Sequence, residues 1–320
     1  MDFVLPDDYP LLPNGRIEPD QQRGKSMSIS ISRRKLLAAA SASPFMASLV
    51  RAAEEGSPVR EGRIKQTIMP QPLGTSGLSY EERCELLAYV GFSGVDLPQR
   101  AQIPILQDYG LAPSLMTGTG TSFVDGFVRR EIHDKIYEET LKGIDMCVEV
   151  GCPNLIGMPG ERRGMSREEG RDHAIEILSR VAPYAEEKGI NVCMEITNSK
   201  VANDNRTDQM FDKLQWGWDV CKGTGSSRIK IVYDFYHVQI SDGDVVRNMR
   251  DNLEYICHMH VAGVPTRGEI DRDDQELNYR FIAQAIADSG YDGYVAHEWM
   301  PTPGRNPILS LANCFDVMRV

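Results

Sequence analysis

From about residue 60 to the end, the sequence keeps returning to one unit: a capped helical stretch, a glycine, then a short apolar run. Ser79-Tyr-Glu-Glu82 opens one such helix as a capping box, in which the serine and the glutamate three residues on satisfy each other's unpaired backbone N–H groups. Gly91 ends it, and the run from Gly94 to Leu97 follows. Ser166-Arg-Glu-Glu169 and Gly189 bracket another, ahead of Ile190-Asn-Val-Cys-Met-Glu195. The same junction recurs at Gly151 before Asn154-Leu-Ile-Gly-Met158 and at Gly290 before Tyr294-Val-Ala-His-Glu298. Eight short β-rich runs occur in all, near 63–69, 94–97, 111–117, 153–158, 190–196, 228–234, 256–262 and 293–298. Strands alternating with helices imply right-handed crossovers and a parallel sheet. Eight such units imply an α/β fold closed into a (β/α)8, or TIM, barrel over residues 60–320. An open doubly wound sheet is disfavoured, because no G-x-G-x-x-G follows the first strand and no G-x-x-x-x-G-K-[ST] occurs.

Composition narrows the partners. Lys and Arg together number 35 against 46 Asp and Glu, a net charge of −11. Such an acidic chain argues against nucleic acid or an anionic membrane surface as its main partner. Seven cysteines (84, 147, 152, 193, 221, 257 and 314) form no C-x-x-C and are too scattered for a disulfide framework.

Ahead of the barrel, residues 27–53 carry Arg33-Arg34 before a weakly apolar, Ala/Ser-rich run, the form of a twin-arginine export signal. Small residues near Val50-Arg51-Ala52 offer a cleavage site. The run falls well short of the ~20 residues that span a bilayer, so no stable membrane anchor is expected. Residues 1–26 are polar and proline-rich and do not belong to such a signal; Met27 is the more natural start. The expectation is a protein that meets the twin-arginine machinery and works in the periplasm, or in the cytoplasm if the signal is not functional. The sequence does not set the oligomeric state, and a homo-oligomer stays open.

In a (β/α)8 barrel, chemistry collects at the C-terminal ends of the strands. The fifth to eighth runs end, or nearly end, in Glu195, Asp234, His260 and Glu298, at spacings of 39, 26 and 38 residues that each match one β/α unit. Three buried carboxylates repel one another and resist ionisation together, a conflict that a divalent cation resolves. Three carboxylates and one imidazole suit Mn²⁺, Mg²⁺ or Co²⁺ better than a thiolate-seeking ion. Taken singly, a strand-end carboxylate is often only the cap of the next helix; four in register make a site. His237, three residues after Asp234, can reach the same region from the following loop. His258 shares a strand face with His260 but lies deeper, where it serves the site or the core. His133 and His173 sit in charge-rich helical stretches and are expected at the surface. The glycine-rich run Leu115 to Ser122 is either part of the mouth or a flexible loop.

These residues also resemble a family. Met194-Glu195-Ile-Thr-Asn198-Ser-Lys200, Tyr233-Asp234-Phe-Tyr-His237-Val-Gln239 and Gly243-Asp244 are similar to the sugar isomerase/epimerase barrels related to xylose isomerase. The nearest likeness is to the hydroxypyruvate isomerase-like branch. His258-Met-His260-Val-Ala-Gly263-Val-Pro265-Thr-Arg267-Gly-Glu269-Ile-Asp271 and Gly290-Tyr-Asp-Gly293-Tyr-Val-Ala-His-Glu298-Trp-Met-Pro301 carry it most specifically. The resemblance spans residues 63–318 and implies that Glu195, Asp234, His260 and Glu298 hold a divalent metal. It implies that Glu195 and Glu298 move the proton, and that His237 and Arg267 contact substrate oxygens; Asn198 and His258 join them as expected substrate contacts. Two departures bear on the substrate. Pro265-Thr-Arg267-Gly268-Glu269 stands where relatives read Pro-Gly-Arg-His-Glu, and the loop after Lys200 has lost the family's Asp-His-x-x-Tyr.

The expected reaction is isomerisation or epimerisation of a small hydroxy-carbonyl compound or sugar through an enediolate, with Glu195 and Glu298 as base and acid. Two other classes share the features so far: a lyase or hydratase acting on an oxidised sugar, and a non-catalytic exported sugar-binding barrel. A metal-dependent endonuclease on the same barrel fits poorly, since no histidine precedes His133.

Overall fold

The computed structural model describes residues 62–201 and 207–320. The export signal expected at 27–53, and the extension 1–26 before it, lie outside the described residues.

Eight parallel strands close into a barrel in sequence order: β1 Lys65–Ile68, β2 Gly94–Asp96, β3 Ala112–Thr117, β4 Asn154–Gly157, β5 Asn191–Glu195, β6 Ile229–Asp234, β7 Ile256–Val261 and β8 Tyr294–His297. All eight fall inside the runs expected from sequence. Around them lie α1 Tyr80–Val90, α2 Ile103–Asp108, α3 His133–Val150, α4 Arg167–Lys188, α5 Leu214–Thr224, α6 Phe235–Ser241, α7 Val245–Asp251, α8 Tyr279–Asp288 and α9 Pro307–Met318. No helix among the described residues is long and apolar enough to cross a membrane.

Local sequence sets the joins. Ser79 caps α1 with the full reciprocal box: the Glu82 N–H donates to Ser79 Oγ at 3.1 Å, and the Ser79 N–H donates to Glu82 Oε2 at 2.8 Å. Gly151 and Gly189 follow α3 and α4 at φ 73° and 72°, a backbone that a side chain would strain.

Alternation then decides what faces the axis. On β6, Val232 and Asp234 point inward, while Tyr233 turns out beneath the helices and donates to the Val245 carbonyl at 2.8 Å. Leu115, Ile156, Cys193 and Val232 pack together as an apolar plug inside the strands. The register between β6 and β7 slips by one residue, Ile231 pairing with Ile256 but Val232 with His258. That bulge leaves Cys257 unpaired and sets His258 and His260 level with the inward residues of β6. All seven cysteines are buried and unbridged, as their spacing implied.

Candidate active site

Side-chain donors of Glu195, Asp234, His260 and Glu298 lie within 4.8 Å of one another at the C-terminal end of the barrel. Each arrives there for a local reason. Glu195 and Asp234 end β5 and β6, and Asp234 is in register with His260 on β7. Glu298 follows the last residue of β8, its N–H donating to the Val261 carbonyl at 3.0 Å. Asp234 is both a helix cap and a site residue. Its Oδ1 accepts from the N–H groups of Tyr236 (2.7 Å) and His237 (3.3 Å) to cap α6, while Oδ2 faces Arg267 Nη2 at 3.4 Å.

The charges are tightly coupled. His260 Nδ1 lies 2.8 Å from both Glu195 Oε1 and Glu298 Oε2. Burial opposes a charged imidazole, but the two glutamates outweigh it and hold His260 well above the ordinary histidine range. Burial pushes Asp234 up to about 7, with Glu298 and Glu195 adding to the rise against the pull of Arg267. Glu298 goes the other way: Arg267, 2.8 Å away, and His260 overcome its burial and hold it well below the usual carboxylate range.

This donor set fits a divalent cation. Three carboxylates and one imidazole converge within 4.8 Å, three of the four residues buried, which is a charge arrangement a cation would relieve. The His260 proton facing the glutamates occupies the position an ion would take.

Beside the four donors opens a cavity of about 60 Å³, lined by Phe123, Thr197, Asn198, His237, Arg267 and the two glutamates among others. Asn198 Oδ1 accepts the N–H groups of Lys200 and Val201, so its amide nitrogen donates to His237 Nδ1 at 2.8 Å. Arg267 Nη1 lies 3.1 Å from His237 Nε2, so the guanidinium and the imidazole stand side by side at the cavity. Arg267 itself has φ 55°, an uncommon backbone for a side-chain-bearing residue, and its guanidinium stacks 5.1 Å from the Tyr236 ring.

The Arg267 loop is fastened from behind. Fully buried Glu269 accepts from the Thr302 backbone N–H, the Thr302 hydroxyl and Ser310 Oγ. The Met300 N–H donates to the Arg267 carbonyl at 2.7 Å. The loop after β7 and the loop after β8 are thereby joined.

Three expectations need correction or refinement. His133 is not at the surface: it is 4% exposed, and its Nε2 lies 2.8 Å from the Phe127 carbonyl. Half-buried His173 similarly meets the Val128 carbonyl at 3.0 Å. Both rings tie α3 and α4 to the loop before α3, a packing role that a charge-rich helix pattern conceals. His258 does not line the cavity; it is buried beneath His260, with Nε2 2.7 Å from Asp96 Oδ2. In the glycine-rich run, Thr119 and Thr121 bond to each other and Thr121 Oγ accepts the Met158 N–H, so those hydroxyls brace the loop. Phe123, just beyond, is the residue that reaches the cavity. Sequence reasoning missed Asp96 and Glu269. Asp96 could have been found, for it ends β2 as the four donors end or follow theirs.

Known proteins bear on this geometry. A 2-oxo-tetronate isomerase of Pectobacterium atrosepticum is 27% identical over 236 residues, covering 69% of this chain and 86% of that one. A hydroxypyruvate isomerase of Escherichia coli is 35% identical over 77 residues, 24% of this chain and 29% of that one. The chain thus spans well under two thirds of some curated relatives it matches. Among solved structures, D-psicose 3-epimerase from Clostridium cellulolyticum superposes with a TM-score of 0.63 at 17% identity, over 80% of this chain and all of that one, a likeness of fold. The family model for xylose isomerase-like TIM barrels matches residues 103–313. With its closed eight-stranded barrel, the chain belongs to the xylose isomerase-like TIM barrel family.

Proposed function

We propose that the protein is a divalent-metal-dependent isomerase or epimerase of a small hydroxy-carbonyl compound. The observation that carries this reading is the convergence of Glu195, Asp234, His260 and Glu298 beside a cavity lined by His237 and Arg267. The names of the relatives, 2-oxo-tetronate isomerase and hydroxypyruvate isomerase, favour short oxo-acids over whole hexoses.

Isomerisation takes a proton from the carbon beside a carbonyl and returns it to the neighbouring carbon; epimerisation returns it to the opposite face of the same carbon. Glu195 and Glu298 project from opposite sides of the donor cluster and serve as the base and acid that flank the substrate. Asp234 and His260 complete the set that would hold the ion, which would supply positive charge to offset the negative charge developing as the proton leaves. The Arg267 guanidinium orients a substrate oxygen or carboxylate, with the His237 ring, held by Asn198, beside it.

The test is incubation of Mn²⁺-loaded protein in D₂O with hydroxypyruvate, 2-oxo-tetronate and a panel of trioses to hexoses, followed by NMR. Deuterium should enter at the carbon next to the carbonyl, and Glu195→Gln and Glu298→Gln should each lower the rate about 10²- to 10⁴-fold. Wild-type turnover in both variants would overturn the mechanism, and a product lighter by one water would point to elimination instead. For residues 27–53 we propose twin-arginine export of the folded barrel; Arg33→Lys with Arg34→Lys should abolish its appearance in the periplasmic fraction.

A further inference from the structure

Beneath the four donors lies a second polar cluster that the proposed reaction does not use. Asp96, at the end of β2, is fully buried. Its Oδ1 accepts from Thr67 Oγ at 3.2 Å and from the Ser114 hydroxyl, which come from the flanking strands β1 and β3. Its Oδ2 meets two imidazoles from across the barrel, His258 Nε2 at 2.7 Å and His260 Nε2 at 3.1 Å.

We propose that Asp96 is the positioning residue for His260. By accepting from Nε2, it turns Nδ1 toward Glu195 and Glu298, so that Nδ1 is the atom presented to an ion. The inference rests on the metal-dependent reading above. Four donors on one carboxylate fill its usual acceptor sites, and this favours a supporting role over direct ligation of a second ion. A carboxylate behind a metal-binding imidazole holds the ring's orientation and raises the basicity of the nitrogen facing the metal. His258 shares Oδ2 and fixes the carboxylate plane, because its ring is packed at 89° to that of His260 with centroids 5.1 Å apart. The bulge at Cys257 is what brings both rings to this side of the strand.

The experiment measures Mn²⁺ affinity and stoichiometry by chelator competition on the full chain, alongside melting of the metal-free protein. Wild type should bind one ion. Asp96→Asn preserves shape but removes the charge and turns one acceptor oxygen into a donor, and should weaken Mn²⁺ binding about 10- to 100-fold. Ser114→Ala, a milder change on the other carboxylate oxygen, should weaken it a few-fold with little change in melting, and keeps the idea testable if Asp96→Asn folds poorly. In Mg²⁺-loaded protein, ¹⁵N NMR should find the His260 proton on Nε2, and the Nε2 resonance should shift in Asp96→Asn as its anionic acceptor is lost. Unchanged affinity in both folded variants overturns the positioning role while leaving the metal site standing. Two ions per wild-type chain, one lost in Asp96→Asn, also overturns it by making Asp96 a ligand. A wild type that binds no ion overturns both readings.

Discussion

Strands β5–β8 place Glu195, Asp234, His260 and Glu298 around one point, whereas β1–β3 contribute Thr67, Asp96 and Ser114 to the layer beneath it. Both halves turn polar residues inward, yet their side chains do different work. The later half carries groups that can bind an ion or move a proton. The earlier half carries one carboxylate, already saturated by hydroxyls and imidazoles, and leaves its side of the mouth to Phe123. The cavity-lining Asn198, His237 and Arg267 follow β5, β6 and β7, so the four donors and most of the cavity wall come from the same later strands.

The largest expected effect falls in the ligand half. His260→Ala should weaken Mn²⁺ binding by more than about a hundred-fold, beyond the loss expected for a supporting residue, as read by chelator competition. Equal losses in His260→Ala and Asp96→Asn would erase the distinction between the halves.

Next comes pH. Asp234 is raised to about 7 and His260 well above its ordinary value, so both hold protons that an ion must displace. Affinity for Mn²⁺ should therefore fall as pH drops through about 7, with proton release on binding measurable by calorimetry in buffers of different ionisation enthalpy. Stability of the metal-free protein should run in the opposite sense. Asp234 binds more proton folded than unfolded between 3.8 and about 7, so stability declines as pH rises across the upper part of that range. His260 adds to the decline as pH climbs above 6.5 toward its raised folded value. Glu298 and Asp96, both lowered, contribute stability above their unfolded values and lose it only on further acidification. Melting curves from pH 5 to 8 with and without Mn²⁺ check this: the downward slope should shrink when the ion is bound.

The smallest effect lies away from the mouth. Ser79→Ala, which removes the α1 cap, should cost about 1 kcal/mol in denaturant unfolding and leave Mn²⁺ affinity unchanged. A change in affinity there would mean that helix capping in the earlier half reaches the ligands.

Much of this was legible in the sequence because it is periodic. Capping serines, glycines past helix ends and apolar runs located all eight strands, and a strand end names its inward residue without any knowledge of neighbours. What stayed hidden depends on partners far apart in the chain. Asp96 and His258 are separated by 162 residues and meet only because the barrel closes, and the bulge that orients His258 leaves no mark in the local pattern. The role of Glu269 is set by Thr302 and Ser310, 33 and 41 residues further along the chain. His133 was misread because charged neighbours on a helix report on the helix's outer face, while the ring itself turns inward to a carbonyl.

The fastening of Arg267 through Glu269 to the loop after β8 has a consequence for diversification. Neither loop can be remodelled alone without tilting the guanidinium away from His237 and Glu298. The segments 262–278 and 299–306 therefore form one exchangeable cassette, and grafts between such barrels should succeed when both are moved together.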